Sequence, residues 1–288
     1  FFFSCNMRWS GLCLLLLVHL CVSEPSFQPL FADAKLKGIK AIEVESGSFI
    51  EHLDDEIRVH HLNGTVSFHP NKPIDQENIL AKRDGSKQWL AWYFKSSLGS
   101  TNGFTYFNST WTVPNRPSTD SNLAIFNGLQ ASPDGSTWNW ILQPVVGIGD
   151  WIFGDYSDWI ISAVVCTTSN CLYSTPYPTK AGHTVIGVIT LVQRGPPYGF
   201  TIQITDVSAG SPTQTLKYQS NYFAPWAYVS LEHNPAGSIQ SCSELPQSSS
   251  ITFYDNQLEP YSVDAWQGAQ NDLHCGLSVE TFVWSDDE

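Results

Sequence analysis

Apolar and polar positions alternate along most of this chain in short runs, each closed by glycine or proline. Phe104 to Val113 reads as a strand stopped by Pro114, and Leu123 to Leu129 as the next. Pro133-Asp134-Gly135 is a turn signal. Trp138–Ile148, Trp151–Thr167, Thr184–Val192 and Phe200–Ile204 follow, then Ala227–Glu232, Ser250–Tyr254 and Ser278–Trp284. No run carries the period of an amphipathic helix, and no repeat or low-complexity tract interrupts the series. The pattern predicts an all-β fold, an antiparallel β-sandwich of jelly-roll or concanavalin-like type.

The first part of the chain follows different rules. Met7 is the only methionine, so Phe1 to Asn6 are expected to lie outside the natural product. Arg8, the apolar run Leu12 to Val18, and Cys21-Val22-Ser23 have the order of a secretory signal. That run is too short to span a bilayer as a helix. Residues 24–83 are rich in charge and hold His52, His60, His61 and His69. They end in Lys82-Arg83 before Asp84-Gly85-Ser86, the composition of an exposed linker open to proteolysis. The expected organisation is a signal peptide over 1–23, a pro-segment over 24–83 and a sandwich over 84–288. The pro-segment's histidines would gain charge in an acidic compartment and weaken its hold. An ordinary N-terminal extension with surface histidines is the alternative.

Composition narrows the classes. A net charge of −13 opposes nucleic-acid binding, which needs basic patches. It suits either work at low pH or solubility outside the cell. After the leader, four cysteines remain, which in an exported chain read as two disulfides. Of three possible connectivities, Cys166–Cys171 and Cys242–Cys275 are favoured. A zinc site lacks the Cys-x-x-Cys pairs and clustered histidines it would need. Asn63-Gly64-Thr65 and Asn108-Ser109-Thr110 are glycosylation acceptors in that compartment. Asp150, Asp155 and Asp158 do not have the spacing of an EF-hand loop, and no Gly-x-Ser-x-Gly is present. His183 and His274 are expected to be structural.

Two polar side chains stand out on otherwise apolar runs: Gln143 in Ile141-Leu142-Gln143-Pro144, and Glu232 at the end of Ala227 to Glu232. A carboxylate can serve as general base and a carboxamide N–H can hold an oxyanion, so the pair suffices for hydrolysis without a metal, serine or cysteine. An unperturbed glutamate is half ionised near pH 4, as acid hydrolysis requires. The bland alternative makes Glu232 an outward strand-end residue beside His233 and Gln143 a cross-strand hydrogen-bonding residue. Trp138, Trp140, Trp151, Phe153, Tyr156 and Trp159 can line a groove or fill a core.

The order of these segments resembles the glutamic peptidases of the eqolisin type over residues 89–254. Trp89 opens the stretch. Thr112-Val113-Pro114, Phe126-Asn127-Gly128-Leu129, Ile141-Leu142-Gln143, Gly182-His183-Thr184-Val185 and Ala227 to Glu232 follow in the family's order. The resemblance implies a secreted acid endopeptidase with a removable pro-segment, a two-sheet sandwich, and Glu232 and Gln143 as the catalytic dyad on a concave face. Trp140, Phe126 and Gln130 are then expected to bind substrate. This sequence departs from the family where Phe126 and Gln130 replace a Trp and an Asp, where His183 follows Gly182 in place of an acid, and at Tyr228. The departures at Phe126, Gln130 and Tyr228 favour a second reading, a non-catalytic extracellular module binding glycan or peptide on the same scaffold; a structural or storage role with no site is a third. The expected partner is a polypeptide substrate, with no cofactor, no metal, no nucleic acid and no membrane, and the chain is expected to act as a monomer. In the catalytic reading the two side chains face each other across an open groove, within reach of one shared water.

Overall fold

The computed structural model describes residues 39–71, 89–97, 103–131, 139–150, 153–233, 241–260, 266–270, 275 and 277–283. The signal peptide, the Lys82-Arg83 pair, the Pro133-Asp134-Gly135 turn, Trp138, Trp151 and His274 lie outside the described residues.

The described residues fold as the alternation predicts, mostly into strands. In order they are β1 (Lys40–Val44), β2 (Phe49–His52), β3 (Glu56–His60), β4 (Val66–Pro70), β5 (Trp89–Ser96) and β6 (Tyr106–Thr112). Then come β7 (Leu123–Ala131), β8 (Trp140–Asp150), β9 (Asp155–Thr167), β10 (Asn170–Ser174), β11 (Tyr177–Pro178) and β12 (Thr184–Gln193). The last are β13 (Tyr198–Asp206), β14 (Gln214–Ser220), β15 (Trp226–His233), β16 (Ser250–Glu259), β17 (Gln267–Gln270) and β18 (Ser278–Val283). Among the described residues a 3₁₀ turn, Cys242–Glu244, is capped by the Ser241 side chain.

Two nine-stranded sheets form among the described residues. The first runs β1-β10-β9-β8-β7-β15-β5-β17, with β11 also on β9; the second runs β18-β16-β6-β12-β13-β14-β2-β3-β4. Most neighbours are antiparallel, as expected. Three pairs are parallel: β1 on β10, β2 on β14, and β18 on β16. Residues 40–70, which the sequence assigns to the pro-segment, thus supply strands to both sheets. Ile50, Ile57 and Val59 of that stretch are fully buried with Leu216 and Tyr218 of β14 in one core cluster.

The sheets pack through side chains at alternate positions. Phe107 and Trp111 of β6, Val185 and Ile189 of β12, and Phe200, Ile202 and Ile204 of β13 meet Ile125, Leu129, Trp140, Leu142 and Val229 from the first sheet. Burying each such side chain contributes about 1.5–3 kcal/mol. Gly187 on β12 lets the sheets come close. A Cβ there would collide with the Asn127 side chain and stand 2.8 Å from Pro144 Cβ. The first sheet is covered on its other face too. Phe126, Ile141, Val145, Phe153, Val164, Tyr173, Trp226 and Tyr228 form a second cluster there. Both favoured disulfides are present. Cys166–Cys171 joins directly paired residues of β9 and β10, and Cys242–Cys275 ties the 3₁₀ turn to the approach to β18.

Candidate functional site

The candidate site lies on the outer face of the first sheet, in β7, β8 and β15. Both β7 and β15 are buried along their full length. On β15, Ala227, Val229 and Leu231 point between the sheets, whereas Trp226 and Tyr228 belong to the outer cluster. Strand alternation sends Ser230 and Glu232 outward with them. The Ser230 hydroxyl donates to the Ala91 carbonyl of β5 at 3.3 Å. On β8, Ile141 and Val145 join the outer cluster, so Gln143 between them projects from the same face as Glu232.

Pairing fixes their relative position. Glu232 stands opposite Ala124 of β7, and Tyr228 opposite Gly128. Gln143 follows Leu142, which faces Leu129, and precedes the Val145–Phe126 pair, so it falls opposite Gly128. Gln143 and Glu232 are therefore two strands apart and offset by the four positions from Tyr228 to Glu232. In a flat sheet that offset corresponds to roughly 16 Å between Cα atoms. Tyr228 occupies the ground between them. Its hydroxyl donates to Gln130 Oε1 at 2.9 Å, and its ring stands edge-on to Phe126. Gly128 makes room for this ring, since a Cβ there would sit 2.8 Å from Tyr228 Cε2. A bulge against β5 lies between Leu231 and Glu232. Such irregularities re-aim side chains locally.

The site is closed rather than an open groove. Gln143 and Glu232 are both fully buried. Neither carboxylate oxygen of Glu232, nor either polar atom of Gln143, has a hydrogen-bond partner among the described residues, so the two do not bond each other. This corrects the expectation of a solvent-reachable pair sharing one water. The bland alternative changes form as well, because Glu232 near the end of β15 points to the outer face but is buried there, and Gln143 makes no side-chain hydrogen bond among the described residues. Burial without partners pushes the Glu232 carboxyl up to about 8. The Tyr228 hydroxyl is also pushed well up, first by burial and then by the Glu232 charge.

The expected substrate residues separate. Phe126 and Gln130 share the face of Glu232, both buried. Trp140 does not: it points between the sheets, where its indole N–H donates to Ser220 Oγ at 2.9 Å and its ring meets Phe200 and Tyr218 edge-on. Its role beside a substrate is therefore corrected to one in the core. The reason is parity, since Trp140 and Gln143 are an odd number of residues apart on one strand. Tyr228 entered the sequence reading only as a departure from the family pattern, yet it sits at the centre of the site. Its place on the Glu232 face follows from their even separation on β15.

Other candidates are structural. His183 Nδ1 bonds Asp206 Oδ2 at 2.7 Å, and Thr179 donates to the same oxygen at 2.6 Å. Burial alone pushes Asp206 up, but these bonds and the Ala209 N–H bring it below its ordinary value. Among the described residues no three His, Cys, Asp or Glu side chains cluster as a metal site. Asn63 stands exposed at the β3–β4 hairpin tip, where its Oδ1 accepts from Thr65, while Asn108 lies half-buried within β6.

Fold and site together define an all-β, two-sheet protein with a buried carboxyl and carboxamide on the outer face of one sheet. No family model and no curated protein matches the chain. Among solved structures it is similar to scytalido-glutamic peptidase with a peptide-based transition-state analog, at a TM-score of 0.37 and 12% identity. That match covers 51% of this chain and 64% of the other, less than two thirds of its length.

Proposed function

We propose that the protein is a secreted acid endopeptidase of the glutamic type, held here in a closed form, with Glu232 as general base and Gln143 as oxyanion donor. The observation that supports this is the presence of two fully buried polar side chains, without hydrogen-bond partners, on one face of one sheet. Leaving such a group unsatisfied costs about 1–3 kcal/mol. On each of these two side chains both polar atoms lack a partner among the described residues, and groups of that kind call for an explanation beyond packing.

In the open form the Tyr228 ring leaves the space between the two groups, water enters, and Glu232 returns toward its ordinary carboxylate range. Its carboxylate takes a proton from water as the water oxygen bonds to the peptide carbonyl carbon. The Gln143 Nε2–H donates to the oxygen that gains charge. The tetrahedral intermediate then collapses as the carboxylic acid returns the proton to the leaving amine. A single oxyanion donor contributes about 100- to 1,000-fold in rate. In the closed form Glu232 stays protonated below about pH 8 and cannot act as base. In this reading residues 7–23 direct export, in keeping with the two disulfides, and residues 24–83 are a pro-segment. A cut after Arg83 would leave β1–β4 bound through their pairing until they are released. Asn63 and Asn108 are the proposed glycan acceptors.

Incubating the purified full chain with a denatured protein between pH 3 and pH 5 tests the reading. Hydrolysis is expected, with resistance to pepstatin. Glu232→Gln should abolish it, and Gln143→Ala should lower kcat by about 100-fold or more. Unchanged turnover in both variants, each shown to be folded, would eliminate the dyad.

The second reading, a non-catalytic binding module, is favoured by the closure itself and by the Tyr228–Gln130 bond that fills the space between the two groups. Specific retention of a glycan or peptide on an array, with no turnover at any pH, decides for it.

A further inference from the structure

The seam between β1–β4 and the rest of the molecule is closed around one buried imidazole. His52 ends β2, and both of its ring nitrogens are engaged. Nε2 lies 2.6 Å from Asn71 Nδ2, and Nδ1 lies 2.5 Å from the Tyr218 hydroxyl on β14. The Asn71 amide is itself fixed from both ends. Its Nδ2 also reaches the Leu53 carbonyl at 3.5 Å. Its Oδ1 accepts from Ser169 at 2.9 Å and Thr167 at 3.3 Å, around the β9–β10 turn of the first sheet. Asn170 Nδ2 adds a bond to the Pro70 carbonyl at 2.9 Å. This one contact thus joins the segment to both sheets.

The donor count allows only a neutral ring. An amide nitrogen carries donors alone, so Nε2 must accept and the single ring proton sits on Nδ1, donated to Tyr218. A second proton would be placed on Nε2, facing the Asn71 amide group donor against donor. Turning that amide would set its oxygen against the Leu53 carbonyl and withdraw the acceptor from Ser169 and Thr167.

We propose that His52 is a proton-operated latch: protonation of its imidazole breaks the Asn71 contact and frees the segment 40–71 from both sheets. The latch stands whether or not the protein is a peptidase.

Among the described residues, few ionisable groups surround the ring. Tyr218 faces it from β14, and Asp54 lies in the turn after β2. Ile57 of β3 stands beside it, and His69 of β4 lies beyond Ile57 in the same row, near Lys40 of β1. Thr167, Ser169 and Asn170 do not titrate. Burial brings His52 from 6.5 down to about 4, against the opposing pull of Asp54. His52 is therefore protonated more readily in the open form. The stability it lends is complete above about 6.5 and is lost as the pH falls through about 4. Between pH 7 and pH 4 the opening equilibrium should rise roughly 100-fold.

Amide hydrogen exchange on the full chain, corrected for intrinsic rates, tests this. The opening constant of peptides within 40–71 should rise roughly 100-fold from pH 7 to pH 4, while that of β12–β13 stays level. In His52→Gln the rise should shrink below about tenfold. Asn71→Asp, which offers a carboxylate to a protonated Nε2, should suppress it too. Opening that persists undiminished in His52→Gln, or that is no greater in 40–71 than in β12–β13, overturns the proposal. Should His52→Gln not fold, NMR titration of the His52 ring in the unaltered chain decides: a midpoint near 4, coincident with loss of protection, upholds the latch, and one near 6.5 overturns it.

Discussion

At the scale of single residues, Glu232 makes the clearest claim. Its carboxyl is raised from 4.5 to about 8 in the folded chain. The folded form therefore holds its proton more tightly than the unfolded form. The contribution to stability is complete below about 4.5 and is lost as pH rises toward about 8. Glu232→Gln keeps the shape and removes the titration. It should stabilise the protein at pH 7 by on the order of 3 kcal/mol and by little at pH 4, read as shifts in urea midpoint at each pH. Gly128→Ala should destabilise by about 1–3 kcal/mol, because the new methyl group meets the Tyr228 ring, and thermal melting reports it. The residue types of the site are legible in the sequence, and so is the parity that places them. Parity along β8 already sets Trp140 and Gln143 on opposite faces, and parity along β15 sets Tyr228 with Glu232. What no run of residues contains is the covering of the outer face, since it comes from tertiary packing. That covering moves Glu232 away from the value expected of an exposed carboxylate.

At the scale of elements, long apolar strands were the easy ones. β6, β7, β8, β12 and β15 follow their alternation closely. Strands β1–β4 were hidden by charge, although the in-out pattern of Phe49–His52 and Glu56–His60 is regular, with Ile50, Ile57 and Val59 pointing inward. Their parallel partners lie far away in sequence, at β10 and β14, so no local turn announces the pairing. The disulfides were readable from spacing alone for the hairpin pair and from elimination for the other. Cys242–Cys275 closes a loop with a sequence separation of 33. Loop entropy of that size corresponds to about 3–4 kcal/mol. The double variant Cys242→Ser, Cys275→Ser should lose about that much in chemical denaturation.

At the scale of the whole molecule, the net charge of −13 and a pI near 4.9 set the long-range field. Self-repulsion at pH 7 should be relieved by salt, so the melting temperature is expected to rise between 20 and 300 mM salt by a few degrees, and to respond little near pH 5. Calorimetry at the two pH values checks this. Within that envelope the two buried titrating groups pull in opposite directions between about pH 4.5 and 6.5, Glu232 favouring the folded chain on acidification and His52 disfavouring it. The strand order carries one more consequence. Residues 40–70 cap β10 in one sheet and β14 in the other, so a chain shorn of them would present two bare ladders of unpaired backbone groups at once. Each is a template for a foreign strand. With two per molecule, the trimmed chain would be bivalent and able to build open-ended polymers, and light scattering that grows with concentration would reveal it.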